Sequence, residues 1–242
     1  MNNIYGMILA AGIGTRMKPL TDSKPKALVT VNGKTLLELA ILKLKNTGIN
    51  NIIVNVHHFP DMIINYLEQN NNFGTNLIIS DERNELLNTG GGIKKAEHFL
   101  AKSTDFFVYN VDIISDIDLN SMYCKHKEYG GIATLAVKKR NTSRYFLFDE
   151  QLNLCGWENA KNKDILINRE FDNHLYEYAF SGIHCLKSSI FKHLQQDESF
   201  SIVDAYIELC KEHQIKAYLH TEAWHDIGKY NELINENIFD IA

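Results

Sequence analysis

Apolar residues along the chain fall into short continuous runs that alternate with stretches of helical period. Residues 5–10 form an apolar run bounded by small residues, the pattern of a strand buried on both faces. Over 34–47, Leu36, Leu37, Ala40, Ile41 and Leu44 recur at helical spacing, with Gly48 as the stop. Further strands are predicted at 51–56, 76–80 and 105–110, and helices at 61–67, 92–100 and 119–129, the last with Asp118 as its N-cap. Strand alternating with helix at this rhythm predicts a parallel sheet covered on both faces. After residue 130 the pattern changes. Runs at 131–138, 144–149, 152–157 and 175–186 read as strands with short links, which points to antiparallel additions. Helices at 188–195 and 203–213, a strand at 215–221 and a helix beginning near Lys229 complete the prediction. Asn70, Asn71 and Asn72 read as a solvated loop. No internal repeat and no Pro- or Ser-rich linker divides the chain, so one domain over 1–242 is expected.

Composition narrows the function classes. At 242 residues, 45% hydrophobic and 23% charged, the chain has the make-up of a globular protein, not of a disordered or fibrous one. No apolar stretch approaches the ~18 residues of a membrane span. The first residues lack the basic segment and cleavable apolar run of a secretion signal. Cys124, Cys155, Cys185 and Cys210 are far apart and read as reduced thiols, so a cytoplasmic location without membrane association is expected. The net charge of −5 argues against a nucleic-acid partner but not against small anionic ligands, which respond to local charge. Locally, Arg16, Lys18, Lys24 and Lys26 cluster with only Asp22 opposing them.

That cluster surrounds a glycine-rich loop. Gly12 and Gly14 follow the first strand and let backbone N–H groups approach an anion without Cβ obstruction, as in a phosphate nest. The loop is not a P-loop, since no Gly-Lys-Ser/Thr follows, and Met17 occupies the third glycine of a dinucleotide fingerprint. Arg16 offers a planar donor fork and Lys26 a second cation, with Pro19 and Pro25 stiffening the connection. The competing reading is a solvated basic turn. Asp112 lies at the carboxyl end of the strand at 105–110, the edge where open α/β sheets bind ligands. Asp226 follows the late strand in Trp224-His225-Asp226-Ile227-Gly228. A magnesium ion carrying phosphates needs only one or two such carboxylates. Gly90, Gly91 and Gly92 at a helix entrance would let backbone approach a flat ring, unless they form a hinge. Asp116-Ile117-Asp118 spells the metal motif of many glycosyltransferases, although capping already accounts for Asp118. His57, His58 and His225 lack the spacing of a zinc site.

Gly12-x-Gly14-Thr15-Arg16-x-x-Pro19-x-Thr21 followed by Lys24-Pro25-Lys26 resembles the N-terminal signature of the sugar-1-phosphate nucleotidyltransferases, or NDP-sugar pyrophosphorylases. The resemblance implies an α/β, Rossmann-like three-layer sandwich with a mixed, mainly parallel central sheet. It implies that Leu9, Ala11, Gly12, Gly14 and Thr15 border the nucleotide, that Arg16 balances the departing pyrophosphate, and that Lys26 contacts phosphate. It places Mg2+ on Asp112 and Asp226, and the nucleobase against Glu82, Thr89, Gly90 and Gly91. Leu87-x-Thr89-Gly90-Gly91-Gly92-Ile93 is most similar to N-acetylmuramate-1-phosphate uridylyltransferases, which favours UTP and that sugar phosphate as substrates. More loosely, Asn110, Glu158, Asn159, Ser181 and Gly182 resemble the sugar-phosphate segments. Two departures stand out. Many relatives carry Glu-Lys-Pro where this chain has Glu158-Asn159-Ala160, leaving Lys161 as the nearest substitute, and Val111 stands where relatives often carry Gly. The reaction implied is transfer of a nucleotidyl group to a sugar 1-phosphate with release of pyrophosphate, needing no general base. Alternatives are a guanylyltransferase for mannose or heptose phosphates, a cytidylyltransferase for phosphocholine, a nucleotide-sugar-dependent glycosyltransferase, and a non-catalytic nucleotide-binding regulator. The chain ends soon after Gly228, so the C-terminal β-helix of longer relatives is not expected.

Overall fold

The computed structural model describes residues 4–194 and 199–228. Its first half contains β1 (Tyr5–Leu9), a small hairpin of β2 (Thr30–Val31) and β3 (Lys34–Thr35), α1 (Leu36–Asn46), β4 (Asn51–Val56), α2 (Pro60–Gln69) and β5 (Asn76–Asp81). Then come α3 (Asn88–Lys95), α4 (Glu97–Leu100), β6 (Asp105–Asn110), β7 (Ile113–Ser115) and α5 (Leu119–Tyr129). The second half holds β8 (Ala133–Lys138), β9 (Arg144–Phe148), β10 (Leu154–Asn159), β11 (Asp164–Ile167), β12 (Tyr176–Lys187), α6 (Ile202–Leu209), β13 (Ile215–Leu219) and β14 (Trp224–Asp226).

In the main sheet β5, β4, β1 and β6 run parallel in that order. β12 joins β6 antiparallel, β8 joins β12 antiparallel, and β13 lies parallel to β8. The first residues of β12 continue past this sheet to pair with β9, which carries β10 and β11 as an antiparallel meander. Because alternate residues of a strand face opposite sides, the apolar strands supply two cores. Ile8, Ile52, Val54 and Phe107 pack with α1, α2 and α5 on one face. Met7, Ile53, Phe106 and Val108 pack with α3, α4 and α6 on the other. The result is a mixed, mainly parallel sheet between two helical layers.

Local chemistry sets the boundaries. The Thr35 hydroxyl accepts from Glu38 N at 3.0 Å and starts α1, two residues later than predicted because Lys34 and Thr35 pair with the strand before them. Asp118 caps α5 as predicted, accepting from Asn120 N at 2.9 Å. The glycine run is inside α3 instead of preceding it, and the helix expected at 92–100 is split into α3 and α4. The segment predicted as helix at 188–195 is a 3-10 turn over Ser188–Lys192. α6 ends at Leu209, short of the predicted 213, and β11 was not anticipated. The helix predicted near Lys229 lies outside the described residues. All four cysteines are free, with Cys124 exposed and the other three buried. Among the described residues no helix is long and apolar enough to cross a membrane.

Candidate active site

The loops that follow β1, β5 and β6 all leave the carboxyl ends of parallel strands, and together they border a cavity of about 420 Å³. Its walls include Leu9, Ala11 and Gly12 from the first loop, Leu86, Asn88 and Thr89 from the second, and Asn110, Val111 and Asp112 from the third. Lys26 and Asn55 close the floor. The loop after β1 is held by a side chain that the sequence reading missed. Asn55, 2% exposed, accepts from Ala10 N at 2.7 Å and Ala11 N at 3.3 Å. Its amide donates to the buried Glu82 carboxylate at 2.7 Å. An amide inside the apolar run of the strand Asn51–Val56, beyond the Asn51 that opens it, was the available signal. Burial pushes the Glu82 carboxyl above its usual range, opposed by the Asn55 amide and the N–H of Leu87. Glu82 therefore braces the loops from behind and does not line the cavity.

Gly14 adopts φ 71°, and its carbonyl accepts from the Thr21 hydroxyl at 2.8 Å. A Cβ on Gly14 would stand 3.0 Å from both Lys26 Cβ and Thr21 Cγ2, so the glycine lets the loop fold onto the Lys26 segment. Thr15 and Arg16 begin the 3-10 turn Thr15–Met17 and are exposed.

The two acids far apart in sequence come together. β14 pairs antiparallel with β7, setting Asp226 opposite Ile113, and Ile227 N donates to the carbonyl of Asp112 at 2.8 Å. Lys26 Nζ forms an ion pair with Asp112 Oδ2, both side chains being largely shielded from solvent. A Cβ on Gly228 would meet Asp226 Oδ1 at 2.5 Å and Arg16 Nη2 at 3.1 Å. Gly228 thus leaves room for the guanidinium and the carboxylate to approach one another. One carboxylate in the turn between β6 and β7 and another at the end of β14, beside a phosphate-type loop, fit a hard divalent cation that completes its shell with phosphate oxygens and water.

The expected base and sugar residues are placed less directly. Thr89 lines the cavity while its hydroxyl accepts from Ile202 N at 3.0 Å. Gly90 and Gly91 are buried, and their N–H groups donate to the Phe200 carbonyl at 2.8 and 3.4 Å. The expectation that these groups stand exposed to a ring is corrected: they close on the protein's own backbone. Gly92 packs against Glu82 and Asn55. Asn110 lines the cavity, and Gly182, at φ 72°, lets Asn110 Nδ2 approach to 2.9 Å of where its Cβ would stand. Ser181 and Gly182 form the irregular step between Phe180 and His184 in the β12–β8 pairing. The Ser181 hydroxyl is buried against His220 Nε2 at 2.8 Å, and Ser181 is not part of the cavity's lining. In β10, Glu158 and Asn159 pair with Tyr145 and Arg144 and do not border this cavity. Asp118 remains a cap, and among the described residues no group of three or more His, Cys, Asp or Glu side chains is gathered for a metal.

Comparison with known proteins gives the family and the fold. A family model described as nucleotidyl transferase matches residues 5–242. The chain is 44% identical over 110 residues to N-acetylmuramate alpha-1-phosphate uridylyltransferase of Caulobacter vibrioides, covering 45% of each sequence. It is 28% identical over 233 residues to a mannose-1-phosphate guanyltransferase of Gibberella zeae, covering 95% of this chain and 62% of that one. The matches thus span about half to three-fifths of these relatives' lengths. Among solved structures, HddC from Yersinia pseudotuberculosis complexed with GMP-PN superposes with a TM-score of 0.74 at 22% identity, covering 96% of both chains. The inositol-1-phosphate CTP transferase from T. maritima superposes with 0.79 at 16% identity, over 99% of this chain and 95% of that one. These likenesses identify the fold.

Proposed function

Since the chain belongs to the nucleotidyl transferase family, we propose that it transfers a nucleotidyl group from a nucleoside triphosphate to a sugar 1-phosphate, releasing pyrophosphate. A phosphate oxygen of the sugar attacks the α-phosphorus in line, and the bond to the bridging oxygen of pyrophosphate breaks. The acceptor oxygen is already anionic at neutral pH, so no group need remove a proton. The obstacle is repulsion between two anions, which positioning and fixed positive charge overcome. The loop over residues 12–14 receives the triphosphate with its backbone N–H groups, the Ala11 N–H being held by Asn55. Arg16 and Lys26 balance charge on the leaving pyrophosphate, and Asn110 faces the reacting phosphates. Asp112 and Asp226 would hold a divalent cation, magnesium in this reading. That ion would supply positive charge that offsets the repulsion of the two anionic reactants.

The observation that carries this reading is the convergence of Lys26 on Asp112 and of Arg16 on Asp226 across Gly228. The 44% identity to a uridylyltransferase over 110 residues supports UTP and N-acetylmuramate 1-phosphate as the preferred pair. The test is a matrix of nucleoside triphosphates against sugar 1-phosphates, read by pyrophosphate release. UTP with N-acetylmuramate 1-phosphate is expected to give the highest rate, and a chelator is expected to stop it. Release of UDP from a nucleotide sugar, with no pyrophosphate in any combination, would replace this reading with glycosyl transfer.

A further inference from the structure

Asn88 stands in the wall of the nucleotide-sized cavity and also in the wall of a second, larger one of about 570 Å³. This second cavity lies over the β9–β10 hairpin, and its charge is uneven. Arg140 and Arg144 line it against a single carboxylate among the described residues, Asp204. Both arginines belong to residues 138–144, where Lys138, Lys139, Arg140 and Arg144 occur with no acid, although the chain as a whole has a net charge of −5. Lys138 is occupied, donating to the carbonyl of Glu222 at 2.7 Å. Arg140 is held in place: its guanidinium lies 4.5 Å from the ring of Trp224 and donates to the Phe180 carbonyl at 3.1 Å. Trp224 belongs to β14, the strand that carries Asp226, so Arg140 ties this cavity to the reacting centre. Arg144 is exposed and forms neither an ion pair nor a side-chain hydrogen bond among the described residues. Between the charges, Trp157 and Phe146 face each other across β10 and β9 and give the cavity an apolar wall.

A wall of aromatic carbon suits the apolar face of a sugar ring, and a guanidinium fork suits an oxyanion. We infer that this cavity receives the end of the acceptor remote from its phosphate, and that Arg144 reads a second anionic group there, a carboxylate or a phosphate. The inference rests on the nucleotidyl-transfer reading and narrows its acceptor class to acidic sugar phosphates. Arg140 is the positioning residue that keeps the positive wall beside Trp224.

Two matched pairs of acceptors test it. N-acetylmuramate 1-phosphate and N-acetylglucosamine 1-phosphate differ in a carboxylate-bearing arm, and glucose 1,6-bisphosphate and glucose 1-phosphate differ in a second phosphate. In one of the pairs the acidic member is expected to show a kcat/KM about tenfold or more above its neutral partner, the scale of one charge-assisted hydrogen bond. Arg144→Gln is expected to remove most of that preference, chiefly through KM. The pair that shows the effect identifies the anion as carboxylate or phosphate. Equal use of both members in both pairs, or an unchanged preference in Arg144→Gln, overturns the inference while leaving nucleotidyl transfer intact. Absence of pyrophosphate with every acceptor and every nucleoside triphosphate overturns both.

Discussion

Gly12 and Gly14 stand two residues apart and are glycines for different reasons. Gly14 has φ 71°, and its missing side chain makes room for Lys26 and Thr21, so the protein itself demands it. A Cβ on Gly12 would meet nothing within 4 Å, so nothing in the folded chain demands it. In the proposed reading, what demands it is the nucleotide that the loop approaches. Gly12→Ala is therefore expected to stay within about 0.5 kcal/mol of the parent in urea unfolding. It should raise KM for the nucleoside triphosphate about tenfold, the scale of one weakened phosphate contact. Gly14→Ala is expected to lose about 1–2 kcal/mol from the left-handed backbone alone. Comparable stability losses in both variants would make Gly12 a turn residue and nothing more. Arg16 is exposed, so Arg16→Ala is expected to cost about a hundredfold in turnover with the unfolding curve little moved, as for a group that stabilises transition-state charge. This loop was legible in the sequence because its constraints are local: glycines, prolines and cations within a few residues. Asn55 and Arg144 were not: Asn55 acts on partners that only the fold brings near, and only the fold sets Arg144 in the wall of a cavity.

Elements were legible in proportion to their length and periodicity. The strands at 51–56 and 105–110 and the helix at 119–129 match the sequence reading residue for residue, because buried faces leave a clear repeat. β7 and β14 have three residues each, too few for any period, and yet their pairing is what joins Asp112 to Asp226. β11 is exposed throughout and carries no alternation to detect. The glycine run misled for a physical reason. Each glycine disfavours helix by about 1 kcal/mol relative to Ala, so three together read as a loop. α3 forms there regardless because the backbone near Phe200 crosses its first turn and accepts two of its N–H groups. That contact gives an element-scale prediction. Gly90→Ala should gain roughly 1 kcal/mol in helix propensity. Its Cβ, however, would overlap the Phe200 ring and stand 2.9 Å from the Phe200 carbonyl oxygen, forcing α3 and the segment before α6 apart. Overpacking of this kind costs about 1–3 kcal/mol, so a net loss of stability is expected in urea unfolding. A stabilised variant would show that the contact at Phe200 yields freely.

At the scale of the whole molecule, β6 runs between two charged centres with opposite duties. Its carboxyl end leads to Asn110 and Asp112 in the cavity lining, where Asp112 pairs with Lys26 and, in the proposed reading, meets the ligand. Its other end is Asp105, 1% exposed and enclosed by His126 Nε2 at 3.3 Å, Lys127 Nζ at 3.1 Å and the Tyr123 hydroxyl at 3.2 Å. Burial alone would raise the Asp105 carboxyl, but the hydrogen bonds and charges of His126 and Lys127 outweigh it and hold the group well below the usual carboxylate range. A carboxyl held low in the native state binds fewer protons there than in the unfolded chain. Its stabilisation is therefore present above the unfolded carboxyl value of about 3.9 and is lost as pH falls from there toward the native value. Asp105→Asn should accordingly be less stable than the parent at pH 7 by about 1–3 kcal/mol, the cost of leaving buried partners poorly paired. The gap should narrow as urea unfolding is repeated at successively lower pH below about 4. Pyrophosphate release at pH 7 and moderate temperature should change far less than in Arg16→Ala, because Asp105 lies at the strand end opposite the reacting groups. A gap that stays constant through the acid range would mean that the Asp105 charge contributes nothing and that only packing holds α5 against this end of the sheet.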